Sequence, residues 1–338
     1  MKKLTIIALV VAITAVFAVT ATANEWSLYG SARVDSFYTS QDLGKELELV
    51  PGTNTFIAVD ARDSANQSTV KDLSWNLQSD SRIGATVSGD RLEARFEFSV
   101  TSDGSGGNVS SRRLYAIWKF AEGWGRKVGK DDTPILFGLS NQVFDNDSNL
   151  WRLGNAWGGR QAQIAVQGEL GPGMLKVALI DQTTNTLNTP NGVVEKLLPK
   201  LEASYQYFFT DAMSAHAFGG YQTYEIENAG AANEDVDVDS WVVGGSAGLN
   251  LGPFYVKTNL STGQNMGNAG WGGNTASYDG DDQAKDIDTV QGLLAAGFKF
   301  TDQLTFEAGV GYRKDESDFA DEDEDETTAA YLQAVISL

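Results

Sequence analysis

From Trp26 onward the chain repeats one unit, about ten residues in which apolar and polar side chains alternate, followed by a turn. A period of two is the geometry of an extended strand, whose successive side chains point to opposite faces. In the first such segment, Trp26 to Thr39, Trp26, Leu28, Gly30, Ala32 and Val34 take one face, while Ser27, Tyr29, Ser31, Arg33 and Asp35 take the other. The next segment sets Leu73, Trp75, Leu77, Ile83, Ala85 and Val87 against Ser74, Asn76, Gln78, Asp80, Arg82 and Thr86. Gly89-Asp90 then makes a tight hairpin into Leu92, Ala94, Phe96, Phe98 and Val100, with Arg91, Glu93, Arg95 and Glu97 opposite. A dry core rarely accepts two arginines and two glutamates on one strand, so this face is hydrated. Period two alone does not say whether the water lies outside a sandwich or inside a barrel.

Further strands follow at 111–120, 126–131, 158–170, 174–182, 198–209, 213–225, 239–251, 254–262, 288–300, 304–315 and 327–338. The short turns between them are Ala121 to Gly125, Gly171-Pro172-Gly173, Thr210-Asp211-Ala212, Gly252-Pro253 and Thr301-Asp302-Gln303, and they alternate with long acidic loops. The count is fourteen strands, or sixteen if 40–69, which includes Thr55 to Asp60, hides another hairpin. The last strand runs to Leu338 with no tail to cover an edge, which favours a sheet that closes on itself.

The N-terminus carries a basic Lys2-Lys3, an apolar run from Leu4 to Val19 and a small-x-small site at Ala21-Thr22-Ala23, which reads as a cleavable export signal over 1–23. No later segment approaches the roughly twenty apolar residues of a helical span. Alternation sustained over so many strands behind an export signal predicts an all-β, closed antiparallel transmembrane barrel over 24–338, in the outer membrane of the cell. Without Lys2 and Lys3, 23 basic residues face 45 acidic ones, a net charge of −22, which excludes nucleic acid as a partner. No cysteine is present, so no disulfide framework supports the fold. Aromatics gather beside the short turns, at Phe120, Trp124, Tyr207 to Phe209, Phe254, Tyr255, Phe298, Phe300 and Phe306, as an interfacial girdle requires.

Three runs of residues carry a family resemblance. Arg112-Arg113-Leu114-Tyr115-Ala116-Ile117-Trp118, Val128-Gly129-Lys130-Asp131-Asp132-Thr133-Pro134 and Ser140-Asn141-Gln142-Val143-Phe144 resemble a Gram-negative outer-membrane porin. The likeness in layout covers nearly the whole chain after the signal, and its specific motifs lie in about 71–160. The resemblance implies a loop at about Asp131 to Gly158 that folds back inside the barrel and narrows it, with Asp131, Asp132, Asp145 and Asp147 as its acidic members. It implies an opposing basic wall of Arg33, Arg82, Arg95, Arg113 and Lys119. Opposed charges across a narrow lumen set up a transverse field; the alternative is that these arginines pair with Asp35, Glu93 and Glu97 on neighbouring strands. It further implies a homotrimer embedded in outer-membrane lipid and lipopolysaccharide, passing small hydrophilic solutes. Two departures stand out: porins end in an aromatic residue, here replaced by Ile336-Ser337-Leu338, and the trimeric porins have sixteen strands.

Other motifs carry less. The acidic loops at Asp315 to Glu326, Asp279-Gly280-Asp281-Asp282 and Glu234 to Asp239 can hold Ca²⁺ or Mg²⁺ loosely against lipopolysaccharide phosphates, or stand as solvated loops. Asp235-x-Asp237-x-Asp239 starts like a calcium loop but lacks its glycine and its final glutamate, with Ser240 and Ser246 in those places. His216 is the only histidine and shares a strand face with Ser214, but two residues along a strand hold them about 6–7 Å apart, too far for direct proton transfer. No enzyme and no resident cofactor is expected. The leading expectation is a passive diffusion channel with a mild cation preference from acid at its mouth; the alternative is a structural or adhesive barrel with a closed lumen and partner-binding acidic loops.

Overall fold

The computed structural model describes residues 25–42, 45–49, 56–60, 69–77, 81–102, 107–136, 153–183, 192–229, 235–278, 284–317 and 324–336. The expected signal segment and Ser337-Leu338 lie outside these residues. The first strands in chain order are β1 (Glu25–Ser31), β2 (Val34–Asp42), β3 (Lys45–Leu49), β4 (Phe56–Asp60), β5 (Thr69–Leu77), β6 (Arg82–Ser88) and β7 (Leu92–Ser102). They are followed by β8 (Gly107–Ala121), β9 (Trp124–Asp132), β10 (Arg160–Leu170), β11 (Gly173–Ile180), β12 (Val193–Glu195), β13 (Lys200–Thr210) and β14 (Met213–Glu227). The remainder are β15 (Val236–Leu251), β16 (Phe254–Gln264), β17 (Ser277–Tyr278), β18 (Ala284–Lys285), β19 (Ile287–Lys299), β20 (Leu304–Ser317) and β21 (Asp325–Ile336).

All regular structure among the described residues is β, and every described register is antiparallel. Seventeen of these are sheet strands, while β3 with β4 and β17 with β18 make ribbons of their own. The expected count of fourteen is therefore corrected. Two expected strands are each interrupted, giving β1 and β2, and β5 and β6; β12 adds a short strand where a loop is expected. The first interruption has a local cause: the Arg33 amide donates to Ser81 Oγ at 2.9 Å and Ser81 Oγ donates to the Arg33 carbonyl at 3.2 Å, a side chain standing in for a strand. The hairpin suspected in 40–69 exists as β3 and β4, but as a ribbon outside the main sheet, so it adds no strand to that sheet.

By internal contact the chain groups into two units, one of Met1–Tyr29, Gly84–Glu97 and Ser111–Leu338, the other of Gly30–Ile83 and Phe98–Ser110. In the smaller, β2 pairs with β5 from Val34↔Leu77 to Asp42↔Thr69. In the larger, β8, β9, β10, β11, β13, β14, β15, β16, β19, β20 and β21 form an unbroken meander in which each strand pairs with the next. Its short connections fall where the Gly, Pro and Asp turns predict, within a residue or two.

The two faces of this meander are inverted relative to a water-soluble sheet. Ile164, Val177, Leu201, Val243, Leu260, Val290, Leu294 and Leu332 are exposed, whereas Gln163, Lys200, Glu202, His216, Gln222, Asn259, Gln291 and Glu307 between them are buried. A sandwich buries the first set and wets the second; a sheet standing in hydrocarbon does the reverse. Along the short-turn edge Phe120, Phe208, Phe209, Phe254, Phe300 and Phe306 are exposed, with Phe254 and Phe298 stacked at 4.5 Å. Two expected girdle members differ. Tyr255 belongs to the buried face and donates its hydroxyl to Glu307. Trp124 is half-buried across its strand pair from Gly168, whose would-be Cβ lies 2.3 Å from the indole.

That last contact recurs. Phe218 faces Gly244, Tyr255 faces Gly297 and Tyr331 faces Gly309 as direct cross-strand partners, and in each pair a Cβ on the glycine would stand within 2.5 Å of the ring.

Candidate functional site

On the buried side of the β7, β8 and β9 region, charges of both signs converge on one carboxylate. Glu97 is fully buried and accepts from Tyr29 Oη at 2.8 Å, Arg95 Nη2 at 2.7 Å, Arg112 Nε at 2.8 Å and Arg113 Nη1 at 3.1 Å. Arg113 reaches onward, its Nε donating to Asp131 at 2.9 Å and its Nη2 to Asp132. Lys127 pairs with Asp131, and Arg160 with Asp132 at 3.1 Å. A buried ion is tolerated only where partners replace its lost hydration, and here five cations meet three carboxylates. Local geometry makes the meeting: Gly129 has φ +125°, where a Cβ would stand 2.2 Å from the Leu114 carbonyl, so glycine lets β9 close on β8 and sets Asp131 one step past the Leu114↔Lys130 pair, beside Arg113.

Of the residues expected at a constriction, the structure thus brings together Arg95, Arg113, Asp131 and Asp132, but as neighbours rather than as opposed walls. Cross-strand adjacency within one hairpin wins over separation, because Arg113 and the two aspartates lie on paired strands. Lys119 pairs with Glu93 at 2.6 Å near the short turn, both about two-fifths exposed, away from that cluster. Arg33 and Arg82 belong to the smaller unit. Asp145 and Asp147 lie outside the described residues, as does the middle of the expected inward loop.

Both described ends of that loop sit on the buried face. Leu153 packs with Leu293 and Tyr331, and Gly154 runs so close to β19 that a Cβ would meet the Gly292 carbonyl at 2.0 Å. Ile135 and Ala156 join a buried cluster with Phe218, Val242, Met266, Ala269 and Trp271. The last three come from a second stretch, 265–276 between β16 and β17, which falls between the strands expected at 254–262 and 288–300 and which also lies on this face. Asn268 donates to Tyr224 Oη at 3.1 Å, and Gln222 donates to the Asn268 carbonyl at 3.3 Å. The one signal that could have found it is Trp271 with Met266, two large apolar side chains in a stretch otherwise built of Gly, Asn, Ala and one Thr.

Glu202, fully buried on β13, touches both stretches: Trp271 Nε1 donates to its Oε1 at 2.7 Å and the Ile135 amide to its Oε2 at 3.2 Å. His216 is buried on β14 across from Gln206 and Ser246, 5.6 Å from the Phe218 ring. Asp237 and Asp239 are exposed members of β15 that alternate with buried Val236 and Val238, which is strand geometry rather than an ion-binding loop.

Exposed apolar and buried polar faces, with loops laid on the polar one, define an antiparallel β fold of the outer-membrane kind. The outer membrane channel DcaP of Acinetobacter baumannii has a similar structure, with TM-score 0.71 at 17% identity, covering 95% of this chain and 88% of that one. The trimer form of OmpT, an outer membrane protein of Vibrio cholerae, follows at TM-score 0.56 and 16% identity over 93% and 84% of the two chains. At such identities the likeness is one of fold. No protein-family model and no curated protein matches the sequence.

Proposed function

We propose that the chain is an outer-membrane channel. The sheet closes into a barrel, its apolar face meets lipid, and its polar face encloses water through which small hydrophilic solutes and ions diffuse without chemistry. The observation that supports this most is the inversion of faces, with Lys200, Glu202, Gln291 and Glu307 buried while Leu201, Val290, Leu294 and Leu332 are exposed. The loop ends at 133–136 and 153–159 and the stretch 265–276 then lie inside the barrel and narrow it. A homotrimer belongs to the same reading, supported by the sequence resemblance and by the trimer form of the similar OmpT fold. So do divalent cations bridging the acidic outer loops to lipopolysaccharide phosphates, supported by the composition of those loops.

Ion preference is set by the charges nearest the path, because screening over about 8 Å weakens distant loop charges. The Glu97 network holds five cations against three carboxylates, so this part of the wall opposes the cation preference expected from the acidic mouth. The test is purified protein in planar bilayers: step-like conductance supports the channel, its absence from folded protein removes it, and the reversal potential under a KCl gradient says which charge set governs. The second reading, a closed barrel that binds partners through its loops, is favoured by the complete burial of Met266, Ala269 and Trp271, and folded protein without conductance is what it requires.

A further inference from the structure

We propose that Glu202 is the positioning residue that latches both inward loops to the wall and thereby sets the bore; this rests on the channel reading above. The carboxylate divides its two oxygens between the two loops, Oε1 taking the Trp271 indole N–H and Oε2 the Ile135 amide. Lys200, two residues earlier on the same face, reinforces the second attachment. Its Nζ lies 3.5 Å from Glu202 Oε1, donates to the Ala269 carbonyl at 3.1 Å and stands 5.4 Å from the centre of the Trp271 ring. Where the first loop returns, a Cβ on Gly158 would be 2.6 Å from Glu202 Oε1, so that backbone passes directly against the carboxylate. Lys200, Glu202 and Trp271 are all fully buried.

The physical consequence is a competition. Glu202 and Lys200 are dry only while the loops cover them, and a buried ion regains hydration whenever its cover leaves. The loops in turn keep their seats only while the carboxylate offers two acceptors in two directions. Glutamine is nearly the same size but has one acceptor oxygen, so its NH₂ must be set against one of the two N–H donors. Glu202→Gln therefore strips one loop of its anchor without opening a cavity. Trp271→Phe removes the indole N–H, much of the ring overlap with Lys200 and part of the packing in the buried cluster, and acts on the second loop alone.

The test uses the full-length protein refolded into lipid, in two measurements. Since the chain has no cysteine, Ala269→Cys supplies a single thiol within the buried cluster, to be probed with a membrane-impermeant methanethiosulfonate. In an otherwise wild-type background the thiol stays protected. Adding Glu202→Gln is expected to speed its labelling about tenfold or more, the population shift that about 1.4 kcal/mol of lost anchoring produces, and to raise single-channel conductance. Trp271→Phe moves both readouts the same way and by less, while Glu202→Asp, which keeps both acceptors, stays nearer the wild type. A Glu202→Gln barrel that assembles normally, with labelling and conductance unchanged, overturns the latch. If that variant does not assemble, unchanged labelling in Trp271→Phe overturns it instead. Absence of conductance from every variant removes the channel reading, and labelling still decides the latch on its own.

Discussion

Two buried carboxylates, Glu97 and Glu202, stand on the buried face and are neutralised by different means. Glu97 is surrounded by strand residues, with Tyr29 on β1, Arg95 on its own strand, and Arg112 and Arg113 on β8. Glu202 has one cation on its own strand and takes its other donors from loops 67 and 69 residues away in sequence. The first carboxylate therefore ties wall to wall and the second ties loops to wall. Electrostatics that stiffens a sheet and electrostatics that holds a movable insert can occupy one face, and they differ in which backbone the partner rides on.

The largest expected effect on stability comes from the wall. Glu97→Gln removes the fully buried counter-charge from three partly buried guanidinium groups, and breaking such a pair from one side costs up to about 3–5 kcal/mol; urea unfolding in lipid vesicles measures it, with the Ala269→Cys thiol still protected. Glu202→Gln also takes the counter-charge from buried Lys200, so the two variants separate by labelling, which should rise in Glu202→Gln alone, and equal labelling of the two would break the contrast. Next comes Leu260→Arg, which tests the membrane frame that both regions share. Leu260 is 65% exposed on the apolar face of β16, and an arginine near the bilayer midplane of a barrel costs about 2–4 kcal/mol; a neutral result in vesicles would mean that this face does not meet lipid. Arg113→Lys follows at about 1–3 kcal/mol, because a point charge cannot reach Glu97, Asp131 and Asp132 together and leaves a buried acceptor unpaired. Smallest is Lys119→Ala, whose partner Glu93 is 44% exposed and whose loss costs under about 1 kcal/mol. A large drop there would move the working network toward the short-turn end.

The same contrast explains what could be read from sequence. Period-two alternation locates the strands, and Gly171-Pro172 and Gly252-Pro253 locate turns, because both signals are local. Arg95, Arg113, Asp131 and Asp132 are named by the family resemblance, and hairpin adjacency adds that Arg113 and Asp131 share a face one step past the Leu114↔Lys130 pair. What parity does not carry is distance: it puts Arg113 and Asp131 on the same side and leaves open whether a lumen or only a strand spacing lies between them. The stretch 265–276 was missed because its contacts to Glu202 and Lys200 obey no period, and its composition matches that of solvated loops. Whether a face looks outward to fat or inward to water is likewise invisible in alternation alone, and the burial of His216, Asn259 and Gln291 decides it.

The rings that reach over facing glycines at Gly168, Gly244, Gly297 and Gly309 have a consequence for assembly. Sliding one strand by a single residue would turn its greasy side inward, and sliding by two would restore the sides yet drive the rings that face Gly168, Gly244 and Gly297 into Val166 or Leu170, Val242 or Ser246, and Ala295 or Lys299. The vacancies at Gly168, Gly244 and Gly297 thus act as proofreading notches, accepting one alignment of the hairpins and rejecting near misses.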